Sequence, residues 1–105
     1  MTVIRPEYKL ILTYDIRAEY QAQYNQFMLG EFIPGLQALG LYITGVYHTL
    51  HGDYPARLTE FVSEGKETMR QSLENEQFVT LEDRLKKYTR NYNRKVVKFR
   101  NGFQF

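Results

Sequence analysis

The apolar residues of this chain change their spacing in a fixed order, and that order restricts the fold more than any single motif does. In Tyr8 to Ile16, YKLILTYDI, one set (Tyr8, Leu10, Leu12, Tyr14, Ile16) alternates with another (Lys9, Ile11, Thr13, Asp15). A two-residue period predicts a strand with one buried face. From about Ala18 to Leu39 the apolar residues Tyr20, Tyr24, Phe27, Met28, Phe32, Leu36 and Leu39 recur at three- and four-residue steps, the period of an amphipathic helix. Pro34 lacks an amide donor and should kink or restart that helix, and Gly40 stands where a left-handed cap is wanted.

Extended patterns follow over Leu41 to Leu50 and Pro55 to Ser63, with Gly52 and Asp53 as turn residues between them, which predicts a hairpin. Met69, Leu73, Phe78, Leu81, Leu85 and Tyr88 then mark a second helical stretch. Its five-residue step from Leu73 to Phe78 predicts a joint near Asn75, with the longer helix ending between Tyr88 and Asn91. A last strand is expected over Arg94 to Arg100. The order β-α-β-β-α-β is that of a ferredoxin-like α+β domain over residues 1–105, with two helices on one face of a four-stranded antiparallel sheet. Such a chain leaves the other face bare.

Pairing the hairpin through a loop at 51–54 sets His48 opposite Arg57, Val46 opposite Thr59 and Gly45 opposite Glu60. Strict alternation then puts Leu41, Ile43, Tyr47, Leu58 and Val62 under the helices beside Leu10, Leu12, Tyr14, Val97 and Phe99. The bare face receives Lys9, Ile11, Thr13, Tyr42, Thr44 and Val46, together with His48, Arg57, Thr59, Phe61, Val96 and Lys98. A face of this mixed character is expected to meet a partner, and a second copy of the chain is the expected one. RNA-recognition modules share the element order. Their third strand is rich in aromatic residues, whereas PARLTEFVS offers Phe61 alone, so nucleic acid is not the expected partner.

Composition narrows the functional classes. The chain has 105 residues, 43% apolar, enough for one modest core and no second domain. It has no cysteine, which excludes disulfides and thiolate metal sites. No apolar run approaches the roughly 18 residues of a membrane span, and MTVIRPEYK lacks the apolar core of a signal peptide, so a cytoplasmic chain is expected. Residues 84–105 hold eight of the 14 basic side chains and none of the 12 acidic ones. Four of them, Arg84, Lys86, Lys87 and Arg90, fall where a helix should end and complement its carbonyl pole.

Three stretches, EFIPGLQALG (31–40), GVYHTLHGDYPARLTEFVSEG (45–65) and SLENEQFVTLEDRL (72–85), with the closing KVVKF (95–99), resemble the dimeric α+β barrel superfamily. The likeness runs from Tyr8 to Phe99 and is to its small NIPSNAP-like and antibiotic-biosynthesis-monooxygenase-like members. It implies a homodimer packed sheet to sheet, with a cavity between the sheet and helices of each subunit. Some members are monooxygenases or isomerases that need neither metal nor organic cofactor. Others bind haem or have no assigned activity. The tryptophans of many active members have no counterpart here.

Candidate chemistry is sparse. His48 and His51 are three residues apart and point to opposite faces of a strand, so they do not chelate one metal, and neither a metal nor a cofactor is expected. Glu60 is the one carboxylate expected on the helix-covered face, with Tyr14 and Tyr47 near it. A carboxylate in an apolar cavity is suited to proton transfer, and the tyrosines to orienting a small organic ligand. Against this stands a Glu that pairs with a lysine or arginine. His48 and Arg57 form a second pair, able to bind an anionic group or to serve as an interface hydrogen bond. The chain is thus expected to bind a small organic molecule, with or without catalysis, or to act as a non-catalytic association module.

Overall fold

The computed structural model describes residues 6–51 and 54–98. Strand β1 (Tyr8–Ile16) leads through a short 3-10 turn into helix α1 (Gln21–Phe27), a π-helical turn (Met28–Phe32) and helix α2 (Ile33–Ala38). Strands β2 (Tyr42–His51) and β3 (Tyr54–Ser63) form the hairpin. Helices α3 (Lys66–Glu74) and α4 (Glu76–Lys87) and strand β4 (Thr89–Lys98) complete the chain. The sheet is antiparallel in the order β2-β3-β1-β4, with β2 and β4 as its edges. This is the ferredoxin-like α+β fold.

Apolar spacing explains the first helical stretch. Tyr24, Met28, Phe32 and Leu36 are all buried and stand four residues apart. On a straight α-helix each four-residue step drifts by about 40°, so Leu36 would leave the face that Tyr24 occupies. The π turn absorbs that drift, and the Ile33 amide donates five residues back to the Met28 carbonyl. Pro34 follows in the first turn of α2, where its missing amide costs least. The proline restarts the helix. Gly40 adopts φ +97°, the left-handed cap that its position predicts. The second break falls at Asn75, whose side chain accepts a 2.8 Å bond from the Gln77 amide and caps α4.

Leu10, Leu12 and Tyr14 of β1 meet Tyr24, Phe27, Met28, Phe32 and Leu36 of the first helical stretch and Met69, Phe78 and Leu85 of the second. The rings of Phe32 and Phe61 pack edge to face at 6.0 Å, which fixes Phe61 of β3 in this core. Arg84, Lys86 and Lys87 occupy the last turn of α4, as expected, while Arg90 lies beyond it in β4. No described helix is long and apolar enough to cross a membrane.

One irregularity changes the faces expected from alternation. Tyr42 pairs with Val62 and Ile43 with Phe61, but Gly45 pairs with Glu60, leaving Thr44 as the extra residue of a bulge. Beyond a one-residue bulge every side chain changes sides. The hairpin register from Gly45 to His48 is as expected, yet its faces are reversed. Arg57, Thr59 and Phe61 lie under the helices across from Tyr14, Leu12 and Leu10. Val46 and His48 are on the helix side as well, both exposed. Tyr47, Leu58, Glu60 and Val62 instead share the open face with Ile11 and Lys9.

Strand β4 departs in the same manner. It begins at Thr89, not Arg94, and a register shift opposite Thr13 to Asp15 accompanies Asn91 at φ 55°. Val96 and Lys98 therefore pair with Leu10 and Tyr8 on the helix side, and Val97 pairs with Lys9 on the open side. Phe99, Phe103 and Phe105 lie outside the described residues.

Candidate functional site

The sequence-predicted site residues divide between the two faces. Glu60 is on the open face, where its carboxylate lies 3.4 Å from Lys9 Nζ, both side chains mostly covered. It is an ion-paired strand residue, not a carboxylate held in an apolar cavity. Tyr47 is 51% exposed on that same face. A Cβ added to Gly45 would meet the Tyr47 hydroxyl at 2.7 Å, so the absence of a side chain there leaves room for the ring. Neither residue reaches Tyr14.

Tyr14, Arg57 and His48 do come together, with Thr59, which alternation assigned to the bare face, and Tyr24 of the first helical stretch. Tyr14 hydrogen-bonds through its hydroxyl to Tyr24 at 2.5 Å and to Thr59 Oγ1 at 2.9 Å. All three side chains are buried. Tyr24 comes from α1, Tyr14 from β1 and Thr59 from β3, so the contact joins helix to sheet. The Arg57 guanidinium lies 5.5 Å from the centre of the Tyr24 ring, and its Nη2 is 3.5 Å from His48 Nδ1. Tyr24 is missing from the sequence reading because its helical spacing marks it simply as core.

Burial pushes the Tyr14 hydroxyl well above the ordinary tyrosine range, and the neighbouring Tyr24 adds to the effect. Tyr24 is raised by burial too, against the bond with Tyr14 and the charge and hydrogen bond of Arg57. Both hydroxyls are protonated at neutral pH. They act as hydrogen-bonding groups, and neither is a base.

Adjoining this cluster through Tyr24 and Arg57 is a pocket of about 200 Å³. Its walls are Met28 and Leu29 of the π turn, Ile33 of α2 and Val46 of β2, with Tyr24, Asn25 and Arg57 supplying ring and polar atoms. The π turn places Met28 inward and leaves Leu29 75% exposed at the rim. Arg57 Nε is buried and is the single such side-chain nitrogen or oxygen among the described residues that has no hydrogen-bond partner.

Two other features lack this combination. A larger hollow of about 560 Å³ opens between the end of β1, the 3-10 turn and the start of β4. There Asp15 accepts a 2.8 Å bond from Asn91, and Arg17 Nε donates to the Thr89 carbonyl. No buried polar atom is left over in it. On the other side of Tyr14, stacked at 6.4 Å, Tyr92 donates a 2.7 Å bond to Glu82, which also takes Arg94 Nη1 at 3.2 Å. That carboxylate is satisfied. Among the described residues no three histidine or acidic side chains are grouped to hold a metal.

The fold and pocket together define a class: the ferredoxin-like α+β domain with a small pocket between helices and sheet. Several solved structures have the same fold. An uncharacterized NIPSNAP domain protein from Burkholderia xenovorans is 11% identical with a TM-score of 0.68, the match covering 93% of this chain and 99% of that one. An antibiotic-biosynthesis-monooxygenase-like protein from Deinococcus radiodurans is 14% identical at a TM-score of 0.64, with 93% and 97% covered. A dimeric ferredoxin-like protein from an uncultured marine organism is 18% identical at 0.60, with 96% and 94% covered. The resemblance seen in the sequence is therefore present in the fold. No protein-family model and no curated protein matches the sequence.

Proposed function

We propose that this protein is a homodimer that binds a compact organic molecule in the pocket between the π turn and the β2–β3 hairpin. The observation that carries the reading is a pocket lined by both polar and apolar groups: Tyr24 and Arg57, the former bonded to Tyr14 and through it to Thr59, share it with Met28, Leu29, Ile33 and Val46. A concave apolar site with few converging polar groups is the usual form of a small-molecule site. The protonated tyrosines suit it to hold and orient a ligand.

Dimerisation through the open sheet face belongs to the same reading. Ile11, Leu58 and Val97, all half-buried, share that face around the Lys9–Glu60 pair, with Val62 buried beside them. One protein of this fold is described as dimeric. In the association reading this face is the whole function and the pocket stays empty.

A ligand-observed NMR screen of compact aromatic and aliphatic molecules separates the two. The wild-type chain should bind members of the set, and Val46→Trp, which fills the pocket from its rim, should abolish that binding. Binding unchanged in Val46→Trp refutes the pocket, and no binding at all leaves the association reading. Light scattering should give twice the chain mass of 12.5 kDa. A monomer at micromolar concentration refutes the dimer.

A further inference from the structure

We infer that the ligand of this pocket is a small organic carboxylate, its two oxygens taken side-on by Nε and Nη2 of Arg57; the inference rests on the pocket reading above. Arg70, Arg84 and Arg94 each pair with a carboxylate. Arg57 pairs with none among the described residues. What surrounds its guanidinium is Tyr24, with the ring centre at 5.5 Å and the hydroxyl in bonding contact, and His48 Nδ1 at 3.5 Å from Nη2, a distance too long for a strong bond. Its Nε is buried with no acceptor. A buried donor left unpaired, on a cation without a counter-charge, is costly in a folded protein.

The missing acceptor has a defined shape. Nε and Nη2 present two parallel N–H bonds on one edge of a planar group, which matches a carboxylate. The hydroxyls of Tyr14 and Tyr24 are engaged with each other. Met28, Leu29, Ile33 and Val46 supply no donors from their side chains and Asn25 is the one further lining amide, so a hydrated inorganic anion would lose most of its water there without replacement. An organic body beside the carboxylate gains from the same walls. The volume, about 200 Å³, is below the roughly 300 Å³ at which pockets for drug-sized ligands begin. That limits the body to a short branched chain or a single ring.

The test is isothermal titration of the full chain with sodium isovalerate, benzoate and phenylacetate, with their methyl esters and amides, and with sodium phosphate and sulfate. The expected result is binding of at least one carboxylate, with its ester and amide weaker by roughly ten- to hundredfold. Arg57→Met should lose a similar factor, and Arg57→Lys, which keeps the charge but not the planar fork, should recover only part. The ester and amide comparison uses the unaltered protein, so it stands even if a variant misfolds. Neutral analogues binding as tightly as the acids overturn the carboxylate inference and leave the pocket reading intact, provided Val46→Trp still abolishes them. Phosphate or sulfate binding as well as the carboxylates assigns Arg57 to inorganic anions and overturns it. Absence of binding by every compound overturns the inference and counts against the pocket as well.

Discussion

Replacing Tyr14 by Phe removes one oxygen and nothing else, and the structure sets what should follow. That oxygen is shared by Tyr24 and Thr59, so its loss takes a partner from two buried hydroxyls. A buried polar group so deprived costs about 1–3 kcal/mol, and a small rearrangement of the threonine recovers part of it, so the expected loss is about 2 kcal/mol. Tyr24→Phe is different: Tyr14 keeps Thr59, and one bond worth about 1 kcal/mol is lost. In the double variant that bond is missing only once, so the total should fall short of the sum by about 1 kcal/mol. Urea unfolding followed by circular dichroism, at one protein concentration, measures all four forms. The slope should stay constant, and each kcal/mol should appear as about 4–8 °C in melting temperature for a chain of this size. If Tyr24→Phe costs more than Tyr14→Phe, or the two add without a deficit, the shared oxygen is not what ties α1 to the sheet.

Further tests follow from the backbone and from charge. Gly40→Ala should cost about 1–2 kcal/mol, because φ is +97° and a Cβ would stand 3.0 Å from Thr68 Cγ2. Gly30→Ala in the π turn, where a Cβ meets nothing within 4 Å, should instead stabilise by up to about 1 kcal/mol; denaturant midpoints of the two variants moving in the same direction contradict this. Tyr14, Tyr24 and Tyr92 are all raised above the ordinary value of 10.0. The unfolded chain therefore loses these protons first, so the stability they contribute is complete below pH 10 and declines above it, by about 1.4 kcal/mol per pH unit for each tyrosine. Absorbance of tyrosinate should show exposed rings titrating first and these three only on unfolding. Early ionisation of all nine tyrosines refutes the buried network.

The order of elements was legible because each segment of the chain keeps one period long enough to be read. Pro34, Gly40 and Asn75 also sit where their backbone chemistry is used, and the hairpin pairs His48 with Arg57 as its loop predicts. The faces were not legible, since a bulge adds one residue without altering composition. Leu41 and Ile43 establish an inward parity that Thr44 reverses, and the reversal carries Glu60 out of the cavity and Arg57 into it. The clue was Gly45, an isolated glycine inside an extended pattern, which is a common mark of a bulge. The same parity error hid Thr59 as a hydrogen-bond partner. Tyr92 and Glu82 were missed for another reason. Tyr92 lies in a strand that starts before Arg94, where TRNYN has no apolar alternation, and Glu82 is a residue of α4 whose two partners are both in that strand.

The basic residues of β4 have a consequence apart from any ligand. Arg90, Arg94, Lys95 and Lys98 run along one rim of the sheet, a place where unpaired backbone groups invite another strand to add. Two copies approaching rim to rim would set like charges against each other, while the bulged β2 offers a twisted and poorly matched opposite edge. Growth of the sheet into a filament is thereby discouraged at both ends. The cationic strand thus limits the edges at which a strand of another copy can add.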